Sequence, residues 1–348
     1  MKSQSHVPDC LCLITTYRCN AECRECCFEC GPSSVDRLNL EDIKRVIDNA
    51  TRFKSIKYIV WTGGECTLLG SDLVKGIQYA KEKGFPSRIV SNGFWAKTKT
   101  IAEEKLSTLI KAGLAELNIS TGDNHQEFVD ANLAILAAVT AARLGISSVI
   151  SVEKTKQSKF NLDSLKNNEI YREFMDMGIN TDKLKVINPV WVSFHQDTCY
   201  SYKDEDLDNS QLDRGCNNIF DFTGVDPNGN YIGCCGLTVR YIPSMNLGNV
   251  KDIDMVEAYS KQYNDFLKRW LFIEGPKRII ERAHEWNPEI EIPRFPHFCL
   301  YCSYLYNNEQ IRCEILKNYK KIANDINKRF EDKIKWEKLR IKNGVVRY

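Results

Sequence analysis

Six short β-rich runs alternate with amphipathic helical segments through the first part of this chain, and that alternation leaves few folds open. The runs read LCLITT, KYIVWT, SRIVS, AELNIS, SSVISV and KVINPVWV, the last ending at about residue 192. Parallel strands need a crossover long enough to hold a helix, so repeated strand-helix units predict an α/β fold with a parallel sheet. The helices carry end signals: Asn39 is placed to cap NLEDIKRVIDNATRF, and DLVKGIQYAKEKG closes on Gly84. Six units rather than eight predict a partial (βα)6 barrel, with the functional loops gathered after the strand C-termini.

After roughly residue 200 the pattern changes. YKDEDLDNS is acidic and loop-like, and FTGVDPNGNYIGCC reads as two short strands around an Asp-Pro-Asn-Gly turn. We therefore expect a barrel over residues 1–200, a smaller domain over 201–313 and a basic helical tail over 314–348. The tail holds eleven Lys/Arg against five Asp/Glu. With Ile315, Ile322 and Ile326 set to pack inward, it reads as a solvated helix face rather than a nucleic-acid arm. Across the 348 residues, 48 Lys+Arg against 46 Asp+Glu leave a formal charge of +2. No global field draws such a chain to nucleic acid or to a membrane surface.

The opening MKSQSHVPDCLCLITT has an apolar run too short for a secretory signal, and no stretch reaches membrane-spanning length. A cytoplasmic location follows, where thiols stay reduced. The 15 cysteines then read as metal or cluster ligands, or as small buried residues, before they read as disulfides. Cys10, Cys12, Cys66 and Cys199 lack ligand-like spacing and belong with the buried class.

The segment CNAECRECCFECG, residues 19–31, follows the first β-rich run directly. Cys19, Cys23 and Cys26 stand as C-x-x-x-C-x-x-C. Three thiolates on one loop can hold three irons of a 4Fe-4S cubane and leave the fourth iron open for chemistry. Zinc competes, because Cys27 or Cys30 could close a tetrahedral site; the cysteines alone leave both readings standing. The loops after the next strands add to the case. TGGE, residues 62–65, combines glycines that let backbone approach a ligand with a carboxylate that can receive an ammonium. SNGFW, residues 91–95, follows the third run and Ser120 ends the fourth, so all of them should meet the cysteine loop on one face of the barrel.

In this order and on these elements, the motifs resemble the radical S-adenosylmethionine (SAM) superfamily. The resemblance implies that Cys19, Cys23 and Cys26 bind a 4Fe-4S cluster whose open iron takes the amino and carboxylate groups of SAM. It also implies that Gly63, Gly64 and Glu65 hold the SAM amino group, with Ser91, Asn92 and Ser120 contacting its ribose and carboxylate. One position departs from the pattern: the residue before the third cysteine, aromatic in many members, is Glu25.

A second set of cysteines lies downstream. Cys216, Gly229 and Cys234 form C-x12-G-x4-C, and Cys299 and Cys302 form C-x-x-C. Four thiolates can close the coordination of a second 4Fe-4S cluster, with a structural zinc as the alternative. The pattern resembles the auxiliary-cluster extensions of peptide-modifying radical SAM enzymes, termed SPASM with two clusters and twitch with one. Only Cys313 lies beyond Cys302, so one auxiliary cluster is expected. Cys235 directly follows Cys234, and on an extended strand their side chains point to opposite sides. Cys235 is then either a buried structural residue or a thiol able to give up a hydrogen atom.

YRCNAECRECCFECGPSS, SNGFWA, LNIS with His125 shortly after, GCC, LFIEGPKRIIERA and FCLYCSYLYNN together look like the radical SAM peptidyl epimerases of the Yyd/Epe type, which mature ribosomally made peptides. What this implies is an isomerase that removes a Cα hydrogen from a precursor peptide and returns hydrogen from Cys235, leaving a D-residue. Asp221 is the match for an aspartate that matters in that family. SAM, two 4Fe-4S clusters and a flavodoxin- or ferredoxin-like electron donor come with the resemblance. The alternatives are a maturase forming thioether or carbon-carbon crosslinks, a zinc-binding module without enzymatic activity, and a nucleic-acid modifier using the basic tail.

Overall fold

The computed structural model describes residues 8–195, 200–208 and 210–342, so Cys199 lies outside the described residues. The chain divides into two compact units, one of residues 10–203 with 224–230, the other of residues 1–9, 204–223 and 231–348.

The first unit is built on six strands: β1 (Cys10–Ile14), β2 (Tyr58–Thr62), β3 (Ser87–Ser91), β4 (Leu114–Thr121), β5 (Ser147–Val152) and β6 (Leu184–Ile187). Each pairs in parallel with the next, in the order β6-β5-β4-β3-β2-β1. That unbroken sequential order is the open (βα)6 partial barrel expected from the six runs. Strand β6 stops two residues before Pro189, which has no N–H to give a ladder.

Five longer helices accompany these strands: α1 (Leu40–Thr51), α2 (Ser71–Glu82), α3 (Lys99–Ala112), α4 (Ala131–Arg143) and α5 (Glu169–Met177). The Asn39 side chain caps α1 by accepting from Asp42 N at 2.8 Å. Just past α2, Gly84 takes φ +89°, a left-handed conformation that glycine adopts without strain. Trp61 of β2 shows which face of the sheet the helices cover. Its ring lies so close to Gly76 of α2 that a Cβ there would come within 2.8 Å, and its Nε1 donates to Ser87 Oγ at 3.0 Å. Because strand side chains alternate, Ser87, Ile89 and Ser91 share one face of β3, while Asn118 and Ser120 share the face of β4 opposite Leu117 and Ile119. Cys10, Cys12 and Cys66 are buried.

The second unit carries β7 (Phe222–Val225) as far as Thr223, most of β8 (Asn230–Ile232), β9 (Asn246–Asn249), and the helices α6 (Met255–Tyr263), α7 (Phe266–Trp286), α8 (Phe298–Asn307), α9 (Glu309–Asn318) and α10 (Ala323–Lys342). The Asp-Pro-Asn-Gly turn, whose residues belong to the first unit, forms where the sequence placed it: Gly229 has φ +79° and donates to Asp226 O at 3.0 Å. Helix α7 breaks at Gly275, φ +79°, where a Cβ would stand 2.1 Å from Arg214 O. Its apolar face forms a core with α8, α9 and α10 through Trp270, Ile279, Tyr301, Ile311, Ile315 and Ile326, against which Ile322 packs. The buried Glu274 ties α7 to α10 by accepting from Arg282, Trp270 and Arg329 at 2.5–3.0 Å. The basic tail is therefore packed structure through its isoleucines. Among the described residues no helix is long and apolar enough to cross a membrane.

Candidate active site

The cysteine loop leaves β1 and is pinched shut at its base. Cys19 N donates to Gly31 O and Gly31 N to Tyr17 O, at 3.1 and 3.2 Å. Within it Cys19, Cys23, Cys26 and Cys30 pack with Tyr17, Ala21 and Phe28. Burial pushes the thiol of Cys19 up to about 11 and that of Cys23 up to about 12, and in both cases neighbouring cysteines add to the rise. Cys26 is instead lowered to about 6, chiefly by a hydrogen bond from Cys30. Three sulfurs within mutual electrostatic reach repel as thiolates unless cationic metal stands among them, which is the donor set that a three-cysteine cluster uses.

The TGGE loop acts first on protein. Gly64 N donates to Thr16 O at 2.7 Å and Glu65 N to Arg18 O at 2.9 Å, extending the β1–β2 pairing to the threshold of Cys19. A Cβ on Gly63 would lie 2.4 Å from Thr16 O, and one on Gly64 2.2 Å from Arg18 O. The glycines are thus required by the close approach of two backbones. The Glu65 carboxylate accepts from Thr67 N, Thr67 Oγ1, Ser91 Oγ and Asn92 N at 2.6–3.1 Å. Burial pushes its pKa up, against the pull of those hydrogen bonds.

Ser91, expected to touch the SAM ribose or carboxylate, is placed differently. It sits on the helix-facing side of β3, donates to Glu65 and accepts from Trp95 Nε1 and Gly93 N at 3.0 and 3.1 Å. One hydroxyl offers one donor and two acceptor sites, so that capacity is spent within the protein. Asn92 does reach the cysteine loop, its Nδ2 lying 3.7 Å from Cys19 Sγ and 2.9 Å from Asn20 Oδ1. Ser120, one residue before the end of β4, lies on the same face as Asn118, whose Oδ1 is buried without a partner. That orphaned atom is a polar group that a bound ligand such as SAM can satisfy.

Two carboxylate-histidine pairs border the loop, and sequence reasoning did not assign either. Glu153, at the end of β5, accepts from Asn124 N at 2.7 Å and holds His125 Nδ1 at 2.5 Å. Gly122 makes room for it, since a Cβ there would meet Glu153 Cγ at 2.0 Å. Glu25, the departure from the family pattern, has φ +61° and is buried. Its carboxylate accepts from the backbone N–H groups of Phe194 and His195 and pairs with His195 Nδ1 at 3.2 Å; Glu29 meets Nε2 at 3.4 Å. The Glu25 hydrogen bond raises the His195 pKa above its ordinary value. Such a link stabilises the fold fully below the unfolded histidine pKa, about 6.5, and is lost as pH rises through the raised folded value. The expected result is a melting-temperature gap between wild type and His195→Gln that is widest at about pH 6 and below and closes on the alkaline side. A gap independent of pH would assign the effect to packing.

In the second unit, Cys216, Cys234, Cys299 and Cys302 line one cavity, with Met245 and Leu271 among its apolar walls. Burial pushes Cys216 up to about 12 and raises Cys299 and Cys302, and the neighbouring thiols add to each rise. Four thiols around one cavity are a donor set that a 4Fe-4S cluster can use. Gly236 N donates to Cys234 Sγ at 3.1 Å. Cys235 is not in the cavity wall; its Sγ reaches Thr223 O at 3.6 Å. Neither residue lies in a strand, since β8 ends at Ile232. Asp221 is buried at the end of the helical turn Asn218–Asp221, within electrostatic reach of Cys216. Cys313 is exposed.

The motifs of the first unit coincide with a sequence family. The radical SAM superfamily model matches residues 13–132, and the chain carries a radical SAM domain. That match takes in the cysteine loop, TGGE, SNGFW, Ser120 and His125. A relative from Bacillus subtilis (strain 168), the "Putative peptide biosynthesis protein YydG", is 30% identical over 152 residues, 42% of this chain and 47% of its own length. The chain thus spans about half the length of the curated relative it matches. Among solved structures, anSMEcpe with bound AdoMet and Cp18Cys peptide is 14% identical at a TM-score of 0.49, covering 92% of this chain and 99% of its own. Streptococcus suis SuiB bound to S-adenosylmethionine is 16% identical at a TM-score of 0.43, covering 66% of this chain and 61% of its own.

Proposed function

We propose that this chain is a radical SAM peptide epimerase, converting L-residues to D-residues in a ribosomally synthesised precursor peptide. In this reading residues 1–200 are the catalytic barrel, 201–313 hold an auxiliary 4Fe-4S cluster and 314–348 are a basic helical tail. The observation that carries the reading is the separation of Cys235 from its neighbour: Cys234 lines the four-thiol cavity and Cys235 does not. A thiol beside the cluster cage but outside it is suited to hydrogen transfer. The name of the Bacillus relative supports a peptide substrate.

Cys19, Cys23 and Cys26 would hold the SAM-binding cluster, and Cys216, Cys234, Cys299 and Cys302 the auxiliary one. Asn118 and Ser120 would supply polar groups for SAM, while Gly63, Gly64, Glu65 and Ser91 keep the loops after β2 and β3 joined. When bound, SAM and its cluster supply a carbon radical that takes a Cα hydrogen. Cys235 then gives its S–H hydrogen to the flattened Cα from the other face, so one S–H bond breaks and one C–H bond forms. The sulfur regains a thiol by taking one electron from a flavodoxin- or ferredoxin-like donor and one proton from water. The chain's contribution is orientation of two hydrogen-transfer groups and exclusion of water.

The test is turnover in D2O of a precursor peptide encoded beside the gene, with mass and chiral analysis of the product. Epimerisation gives a gain of one deuteron at a residue that has become D. A loss of two hydrogens with no D-residue overturns the proposal in favour of crosslinking.

A further inference from the structure

Lys268 is 3% exposed and, among the described residues, no other Lys or Arg is buried. It stands in the first turn of α7, where its backbone N donates to the capping Asp265 at 3.1 Å. Its Nζ donates to Gln262 Oε1 at 2.9 Å. Gln262 is itself clamped, its Nε2 donating to Ile219 O and Gly233 O at 3.1 and 2.9 Å. Gly233 has no room for a side chain, since a Cβ would fall 1.6 Å from Gln262 Oε1. The clamp therefore ties the ammonium to the backbone immediately before Cys234 and just after Cys216, two walls of the four-thiol cavity.

A buried ammonium with one neutral hydrogen-bond partner is costly unless an anion lies close by. The groups in electrostatic reach of Lys268 are Asp265, Cys234 and Cys302. The other sulfurs are served by backbone N–H groups: Cys234 by Gly236, Cys216 by Ile219 and Asn218, Cys299 by Leu237 and Thr238. For Cys302 the stabilising influence is Lys268.

We propose that Lys268 is a countercharge set behind the four-thiol cavity for the auxiliary cluster, raising that cluster's reduction potential. The inference rests on the auxiliary-cluster reading. Adding an electron makes a four-thiolate cluster more negative, and a fixed positive charge in a low-dielectric interior stabilises the reduced form more than the oxidised one. Lys268 touches no substrate and acts through the cluster's environment alone.

The experiment uses the full chain with Cys19, Cys23 and Cys26 all replaced by alanine, anaerobically reconstituted with iron and sulfide, so that only the auxiliary cluster contributes. Its midpoint is read by an EPR-monitored redox titration. Lys268→Met is expected to shift the oxidised-to-reduced ratio at the parent midpoint tenfold toward oxidised, about 59 mV for a one-electron couple. Lys268→Arg keeps the parent midpoint. Should Lys268→Met lose its iron, Lys268→Gln is the neutral comparison; loss of iron from both while Lys268→Arg retains it supports the countercharge through binding. An unmoved midpoint in a neutral variant that keeps its cluster overturns the role of Lys268 alone. A triple-alanine parent that takes up no iron overturns the auxiliary cluster itself and this inference with it.

Discussion

Cys235→Ala is expected to go on cleaving SAM and removing the peptide Cα hydrogen while D-residue formation falls to background. The contrast with the adjacent position makes the expectation sharp. Cys234 faces the cavity shared with Cys216, Cys299 and Cys302, whereas Cys235 turns toward Thr223 O. Cys234→Ala should therefore lose auxiliary-cluster iron, and Cys235→Ala should keep its full iron and sulfide content. Cys235→Ser should resemble the alanine variant, because an alcohol O–H bond is far stronger than a thiol S–H bond and does not yield its hydrogen atom to a carbon radical. The readouts are iron content, 5'-deoxyadenosine released and the D-residue fraction of the peptide. Unimpaired epimerisation by Cys235→Ala would return that thiol to a structural role.

The elements that sequence patterning predicted are those governed by local rules. The six strands, the Asn39 cap, the turn at Gly229 and the inward isoleucines of the tail depend on periodicity, a nearby side chain or one backbone conformation. The gathering of Cys216, Cys234, Cys299 and Cys302 around one cavity was also readable, because cysteines at ligand-like spacing have few other uses. The partners of loop carboxylates were not. Glu25 meets a histidine 170 residues away, and Glu65 meets Ser91 only once β2 and β3 are side by side. The alternation within SRIVS carried a usable signal about Ser91. It groups Ser91 with Ser87 and Ile89, so once the buried face of β3 is known the hydroxyl must point into the helix layer. The Lys268–Gln262 clamp had no comparable signal, since a lysine in the first turn of a helix is ordinarily solvated.

Glu65→Ala is expected to have the largest structural effect on the site. The carboxylate is 0% exposed and takes hydrogen bonds from two backbone N–H groups and two hydroxyls. Deleting it strands Thr67 N and Asn92 N in the interior, where each unsatisfied group costs about 1–3 kcal/mol. A total of about 4 kcal/mol in a unit of this size corresponds to a fall of roughly 8–16 °C in melting temperature. The effect should reach the cysteine loop, because Asn92 is held by Glu65 through its backbone and by Asn20 and Cys19 through its side chain. Iron retention at the Cys19, Cys23 and Cys26 site should fall with the melting temperature. Glu65→Gln separates this anchoring role from direct contact with the SAM ammonium. It keeps one acceptor oxygen and the side-chain shape but removes the charge. If Glu65 acts by holding the two loops together, SAM affinity and melting temperature decline in step through the Gln and Ala variants. If it receives the ammonium, Gln weakens SAM binding by more than the fall in melting temperature of the metal-free protein accounts for.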